Sequence, residues 1–139
     1  MKIRELMHKG VEVMPPETPL AKLAQKMRDK DIGAVAIGTQ DTLQGIVTDR
    51  DITVRAVANG NDMSQLTAAD VMTKGAICCR EDAKARDVLR TMEEKRIRRV
   101  PVLDDKQHAV GMISLGDISQ GLSGKLTAEV MKAVAAHHA

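Results

Sequence analysis

The tightest constraint on this chain is that it repeats itself. Sliding the sequence by 65 residues places Met7-His-Lys-Gly10 on Met72-Thr-Lys-Gly75, Met27 on Met92, Ile32 on Ile97 and Val35 on Val100. After one extra residue in the second copy, Gly45, Asp51 and Ile52 meet Gly111, Asp117 and Ile118. Two copies of one apolar pattern fold as two like units, and 139 residues suffice for two small ones. The reading places a first unit at 1–60, a connector at 61–67, a second unit at 68–124 and a closing amphipathic helix at 125–139. The polar run Asn59-Gly-Asn-Asp62 leads into the connector, and Leu126, Val130, Met131 and Val134 give the last helix its apolar face.

Each copy predicts strand, helix, strand, strand, helix, an α/β (α+β) unit. Val11–Met14 is a short strand ended by Pro15 and Pro16, after which Thr18-Pro19 predicts an N-cap with proline at the first helical position. Leu20, Leu23, Ala24 and Met27 then follow the spacing of one buried helix face, as do Ala85, Val88, Leu89 and Met92. Gly33–Gly38 and Leu43–Thr48 form a hairpin around Thr39–Thr42, with Arg98–Leu103, Ala109–Ser114 and Asp104–Gln107 as counterparts. A second helix follows each hairpin, from about Asp49 to Ala58 and from about Leu115 to Leu122.

Composition closes off several functions. There is no Phe, Trp or Tyr but nine Met, so the core is aliphatic, and the stacking platforms of single-stranded nucleic-acid binders are missing. A net charge of +2 from 21 basic and 19 acidic residues is too balanced for a dedicated DNA or anionic-membrane binder. Cys78 and Cys79 are neighbours and cannot frame a useful loop, so they read as reduced, inert thiols. No signal peptide or membrane span is visible, and the expected location is cytoplasmic.

The sharpest constellation is Gly45-Ile-Val-Thr48-Asp49-Arg50-Asp51-Ile52, repeated as Gly111-Met-Ile-Ser114-Leu115-Gly116-Asp117-Ile118. A buried strand ends in a hydroxyl residue and an Asp follows three positions on, in the first turn of a helix. A Thr or Ser hydroxyl at such a turn suits a phosphate, and an ionised Asp accepts from the paired hydroxyls of a ribose. The same residues also suit plain helix capping, in which case the hydroxyl cap would survive loss of the Asp.

With Leu6–Gly10, Val71–Gly75, Arg98-Arg-Val-Pro-Val102 and the two Gly-x-x-[Ser/Thr]-x-x-Asp motifs, residues from about 3 to 122 resemble a CBS domain pair, or Bateman module. The whole-chain layout is similar to small stand-alone bacterial two-CBS proteins. The resemblance implies a tandem repeat of two β-α-β-β-α units packed around a pseudo-twofold axis, with two clefts for adenosine compounds such as AMP, ATP or S-adenosylmethionine. It implies that Thr48 and Ser114 meet phosphate, that Asp51 and Asp117 meet ribose, and that Arg98 and Arg99 contact phosphate, with Arg50 completing the nucleotide-binding set. The first copy carries Gly33 and Ala34 where the second has Arg98 and Arg99, and the second carries Gly116 where the first has Arg50, so the two sites differ in charge.

No catalytic constellation stands out, and no resident cofactor or metal is expected. Gly121-Leu-Ser-Gly124-Lys125 lacks the earlier glycine and the closing hydroxyl of a phosphate-binding loop. Asp49 with Asp51 lacks further ligands, and His8, His108, His137 and His138 are scattered. The expectation is a non-catalytic regulatory module, homodimeric, that binds an adenosine-containing small molecule and signals through conformation to a protein partner. The alternative is a structural homodimeric interaction module with no physiological nucleotide.

Overall fold

The computed structural model describes residues 1–75 and 77–121, together with 124, 125, 128 and 132. The closing helix expected from Leu126, Val130, Met131 and Val134 lies outside the described residues. The strands are β1 (His8–Lys9), β2 (Val13–Met14), β3 (Ala34–Gly38), β4 (Leu43–Thr48), β5 (Thr73–Lys74), β6 (Cys79–Arg80), β7 (Arg99–Leu103) and β8 (Ala109–Ser114). The helices are α1 (Leu20–Lys30), α2 (Asp49–Asp51), α3 (Ala68–Val71), α4 (Ala85–Lys95) and α5 (Leu115–Gly121). Each copy thus has the expected order, β2-α1-β3-β4-α2 and β6-α4-β7-β8-α5.

The two spatial units exchange their leading segments. One sheet runs β2-β3-β4-β5 and the other β1-β8-β7-β6. The leader of the second copy therefore edges the sheet of the first, and the leader of the first copy edges the sheet of the second. One unit comprises Met1–Val11 with the described residues from Ile77 on, and the other the described residues of Glu12–Ala76. The same hydrogen bonds dock both leaders: Ile3 N–H donates to Ala83 O (2.9 Å) as Ala68 N–H does to Thr18 O (2.8 Å), and Ala85 N–H to Met1 O (2.9 Å) as Leu20 N–H does to Leu66 O (3.1 Å). Ile3 is fully buried among Val88, Leu89, Met92 and Ile118, and such burial contributes about 1.5–3 kcal/mol to holding a leader in place.

The helix faces fall where the spacing puts them, except that Ala24 is exposed. Leu20, Leu23 and Met27 pack under β3 and β4 with Val35, Ile37 and Val47. Two expectations are corrected. Pro19, not Thr18, occupies the N-cap of α1, with extended backbone (φ −61°, ψ 144°) and no side-chain cap; the docked leader supplies the acceptor that a capping side chain otherwise would. The helix expected from Asp49 to Ala58 is α-helical only over α2 and continues as a π-helix from Ile52 to Val57, with Ala58 N–H donating to Thr53 O (2.9 Å). Four of its six residues are β-branched, three of them consecutive in Ile52-Thr-Val54, whose stiff side chains crowd an ordinary helical turn. No helix among the described residues is long and apolar enough to cross a membrane.

Candidate functional site

Both motifs end a central strand and begin a helix, and in both the hydroxyl and the carboxylate close on each other. Thr48 N–H donates to Asp51 Oδ2 (2.9 Å) while Asp51 N–H donates to Thr48 Oγ1 (3.1 Å). Ser114 N–H donates to Asp117 Oδ2 (2.9 Å) while Asp117 N–H donates to Ser114 Oγ (3.1 Å). These are reciprocal capping boxes, which satisfy backbone donors at each strand-to-helix turn. A second joint fixes each turn, since Asp49 N–H donates to Gly33 O (3.0 Å) and Leu115 N–H to Arg98 O (2.9 Å).

The hydroxyl cap outlasts the Asp, as expected, because Thr48 Oγ1 and Ser114 Oγ accept from the backbone N–H of residues 51 and 117; the carboxylate is the other half of the box and is lost with the side chain. Asp51→Ala or Asp117→Ala should cost about 1 kcal/mol of stability by freeing a backbone N–H, measurable in chemical denaturation. Nucleotide affinity at the altered motif should fall by about ten- to a hundredfold, because hydrogen bonds to a charged group are worth roughly 1.5–3 kcal/mol. Asp→Asn keeps an acceptor for the backbone and should recover most of the stability but not the affinity, as calorimetric titration would show.

In the unit of the second copy the turn opens on a cavity of about 260 Å³ lined by Arg98, Arg99, Ser114, Leu115 and Gly116. Both arginines are half-buried, and Gly116 keeps the wall low, since an added Cβ would touch only Ser114 Oγ at 3.6 Å. A volume just below the lower bound of small-molecule pockets seats a phosphate-sized group with part of what it is attached to. Two guanidinium groups beside a hydroxyl suit an anion, which they bind in forked geometry. Asp117 stands next to the lining, joined to it through Ser114. In the other unit Gly33 and Ala34 take the arginine positions, and Arg50 is exposed on the turn.

Two residues facing the motif carboxylates escaped the sequence reading. Arg55 Nε lies 3.9 Å from Asp51 Oδ1, and His8 Nε2 lies 3.1 Å from Asp117 Oδ1. Arg55 has a sequence signal, the i, i+4 spacing of an acid–base pair on one helix; His8 has none, because it arrives on an exchanged leader. Cys78 and Cys79 are half-buried, and burial pushes both thiols up, Cys79 to about 12 with the neighbouring Cys78 adding to the effect. Thiols held protonated in this way are poor nucleophiles. Among the described residues no three His, Cys, Asp or Glu side chains come together as a metal site.

The comparisons with known proteins match this geometry. The CBS domain family model matches residues 3–57 and 68–124. Hypoxic response protein 1 of Mycobacterium tuberculosis is 34% identical over 132 residues, covering 94% of this chain and 92% of that protein. The crystal structure of Hypoxic Response Protein I with two coordinated zinc ions aligns with a TM-score of 0.77 at 35% identity, over 88% of this chain and 100% of that one. The CBS domain pair of protein MJ0100, in complex with 5′-methylthioadenosine and S-adenosyl-L-methionine, aligns with a TM-score of 0.78 at 25% identity, over 90% of this chain and 98% of that one. With the domain matched twice across most of its length, the chain belongs to the CBS domain family.

Proposed function

We propose that this chain is a non-catalytic regulatory module that binds an adenosine-containing ligand at its Ser/Thr–Asp motifs, with AMP, ATP and S-adenosylmethionine as candidates. The observation that carries the reading is the cavity where Arg98 and Arg99 meet Ser114. Phosphate fits that pair of guanidinium groups, and the ribose hydroxyls fit Asp117 beside it. The adenosine compounds bound by the MJ0100 pair support the same class of ligand here. The ligand acts by binding one arrangement of the protein better than another, which is the only way binding energy can shift a conformation and so alter contact with a partner protein.

A thermal-shift panel with AMP, ADP, ATP, NAD and S-adenosylmethionine tests the reading. A ligand present at about 100 times its dissociation constant adds about 2.7 kcal/mol to the native state. At least one adenosine compound should raise the midpoint, with the phosphorylated ones ahead of S-adenosylmethionine. No shift with any of them favours the second reading, a structural interaction module, which the self-satisfied capping boxes support. Either reading includes a homodimer, because Val54 and Val57 stand 45% and 57% exposed on the π-helical segment. Light scattering should return about twice the chain mass of 15.1 kDa, and a mass of one chain at micromolar concentration would count against it.

A further inference from the structure

The two motif carboxylates are faced by different basic side chains, one from the motif's own helical segment and one from an exchanged leader. In one unit Arg55 lies one turn beyond Asp51, and its Nη1 also donates to the carbonyls of Val71 (3.2 Å) and Met72 (3.1 Å) at the end of α3. A guanidinium tied at both ends keeps its place, and it keeps its charge at any physiological pH. In the other unit the position of Arg55 is Gly121, where an added Cβ would collide with the Leu6 side chain. The side chain facing the carboxylate there comes instead from β1, as His8. At the equivalent position the other leader carries Thr73.

Asp117 Oδ2 is held by the Ser114 N–H, so Oδ1 is the oxygen left for an incoming hydroxyl pair, and His8 Nε2 sits 3.1 Å from it. The Asp117 side chain is 13% exposed whereas that of His8 is 81% exposed, so the imidazole lies over the carboxylate from the solvent side. Other charged groups surround the pair. β8 has no ionisable side chain and α5 contributes Asp117 alone, but Arg98 and Arg99 line the cavity beside Ser114 and stay charged throughout, β1 adds Lys9, and the turn before it adds Arg4 and Glu5. Histidine is the ordinary side chain that changes charge between about pH 5 and 8.

We propose that His8 competes with the ligand's hydroxyl pair for Asp117, so that binding at this motif strengthens as His8 loses its proton, whereas binding at Asp51, faced by Arg55, does not change over the same range. The inference rests on the reading of the motif carboxylates as ribose acceptors. The imidazolium must leave Oδ1 for the hydroxyls to reach it, and a neutral imidazole leaves more readily. Because the His8 side of the pair is solvent-exposed, the competition is modest, and affinity should differ by about two- to fivefold across the range.

The test is calorimetric titration with adenosine, which has no phosphate to titrate over the same interval, at about pH 5.5 and about pH 8. In Asp51→Asn, which silences the other motif but keeps its backbone acceptor, adenosine should bind about two- to fivefold tighter at the higher pH, and at pH values between the two it should release protons on binding, read as a buffer-dependent heat. Adding His8→Gln should abolish both the pH dependence and the proton release while leaving affinity at the tighter value. In Asp117→Asn the remaining motif should show neither. Equal affinity at both pH values in Asp51→Asn, or an undiminished slope in His8→Gln, would overturn the gate while adenosine binding itself left the ribose reading standing. Failure of adenosine to bind any variant at either pH would overturn the ribose reading, and the gate with it.

Discussion

Replacing Arg98 and Arg99 together by alanine is expected to weaken AMP binding by about a hundredfold or more while changing adenosine binding by no more than about threefold. Each guanidinium lost from a phosphate removes charge-assisted hydrogen bonds worth roughly 1.5–3 kcal/mol, and about 2.7 kcal/mol is already a hundredfold. Adenosine offers these side chains no anion, so it should not register the change. The joint that fixes the turn uses the Arg98 carbonyl, which accepts from Leu115 N–H at 2.9 Å, so truncating the side chain leaves that bond in place. Wild-type affinity for AMP should fall with added salt, since exposed charges are screened beyond about 8 Å at physiological ionic strength, and the double variant should lose most of that dependence. Equal losses for AMP and adenosine would mean that the arginines hold up the cavity wall and do not select for phosphate.

The second copy's arginines were legible in the sequence because a repeat supplies its own control: Gly33 and Ala34 show what the fold needs at those positions, and Arg98 and Arg99 exceed it. Element order was legible for the same reason, since two copies of each hydrophobic stripe agree. The exchange of leaders was not. Strands of two residues such as β1 and β5 have no periodicity to read, and a repeat unit marked on the sequence says nothing about which sheet its first strand joins. The N-cap of α1 was misplaced because its acceptor, Leu66 O, comes from the exchanged leader and not from a neighbouring side chain.

The capping role of Asp51 and Asp117 was half legible. The spacing Thr48–Asp51 and Ser114–Asp117 fits a capping box as well as a ribose contact, and the geometry realises the box in both copies. One carboxylate oxygen serves the backbone and the other faces Arg55 or His8, so the proposed ligand contact and the capping bond would use different atoms of the same side chain. Arg55 follows from the i, i+4 spacing, whereas His8 arrives on a leader, which put it beyond reach of any local pattern.

One signal for the exchange was present in the motif's first residue. Gly45 and Gly111 sit inside strands, where glycine weakens a sheet unless a backbone passes close by. An added Cβ at Gly111 would lie 2.5 Å from His8 O and 2.8 Å from Met7 Sδ, and one at Gly45 would lie 2.5 Å from Thr73 O and 3.1 Å from Met72 Sδ. The nearest atom in each case is a carbonyl of the exchanged edge strand, which cannot rotate aside as a side chain can. Gly111→Ala should push β1 off β8, breaking the pairing of His8 with Met112 and of Lys9 with Gly111 and the bond from Gly10 N–H to Val110 O. The expected cost is about 1–3 kcal/mol, as for other overpacked sites. Gly45→Ala should cost a similar amount by displacing β5. Gly116→Ala, five residues along the same motif, is the internal comparison: its Cβ meets only Ser114 Oγ at 3.6 Å, and exchanging a helical glycine for alanine should be neutral or stabilising by up to about 1 kcal/mol. Denaturant midpoints should therefore order as Gly116→Ala at or above wild type, with Gly45→Ala and Gly111→Ala well below it. If Gly111→Ala unfolded at the wild-type midpoint, β1 could not lie against β8 as closely as this fold requires, and the leader exchange would lose its main steric support.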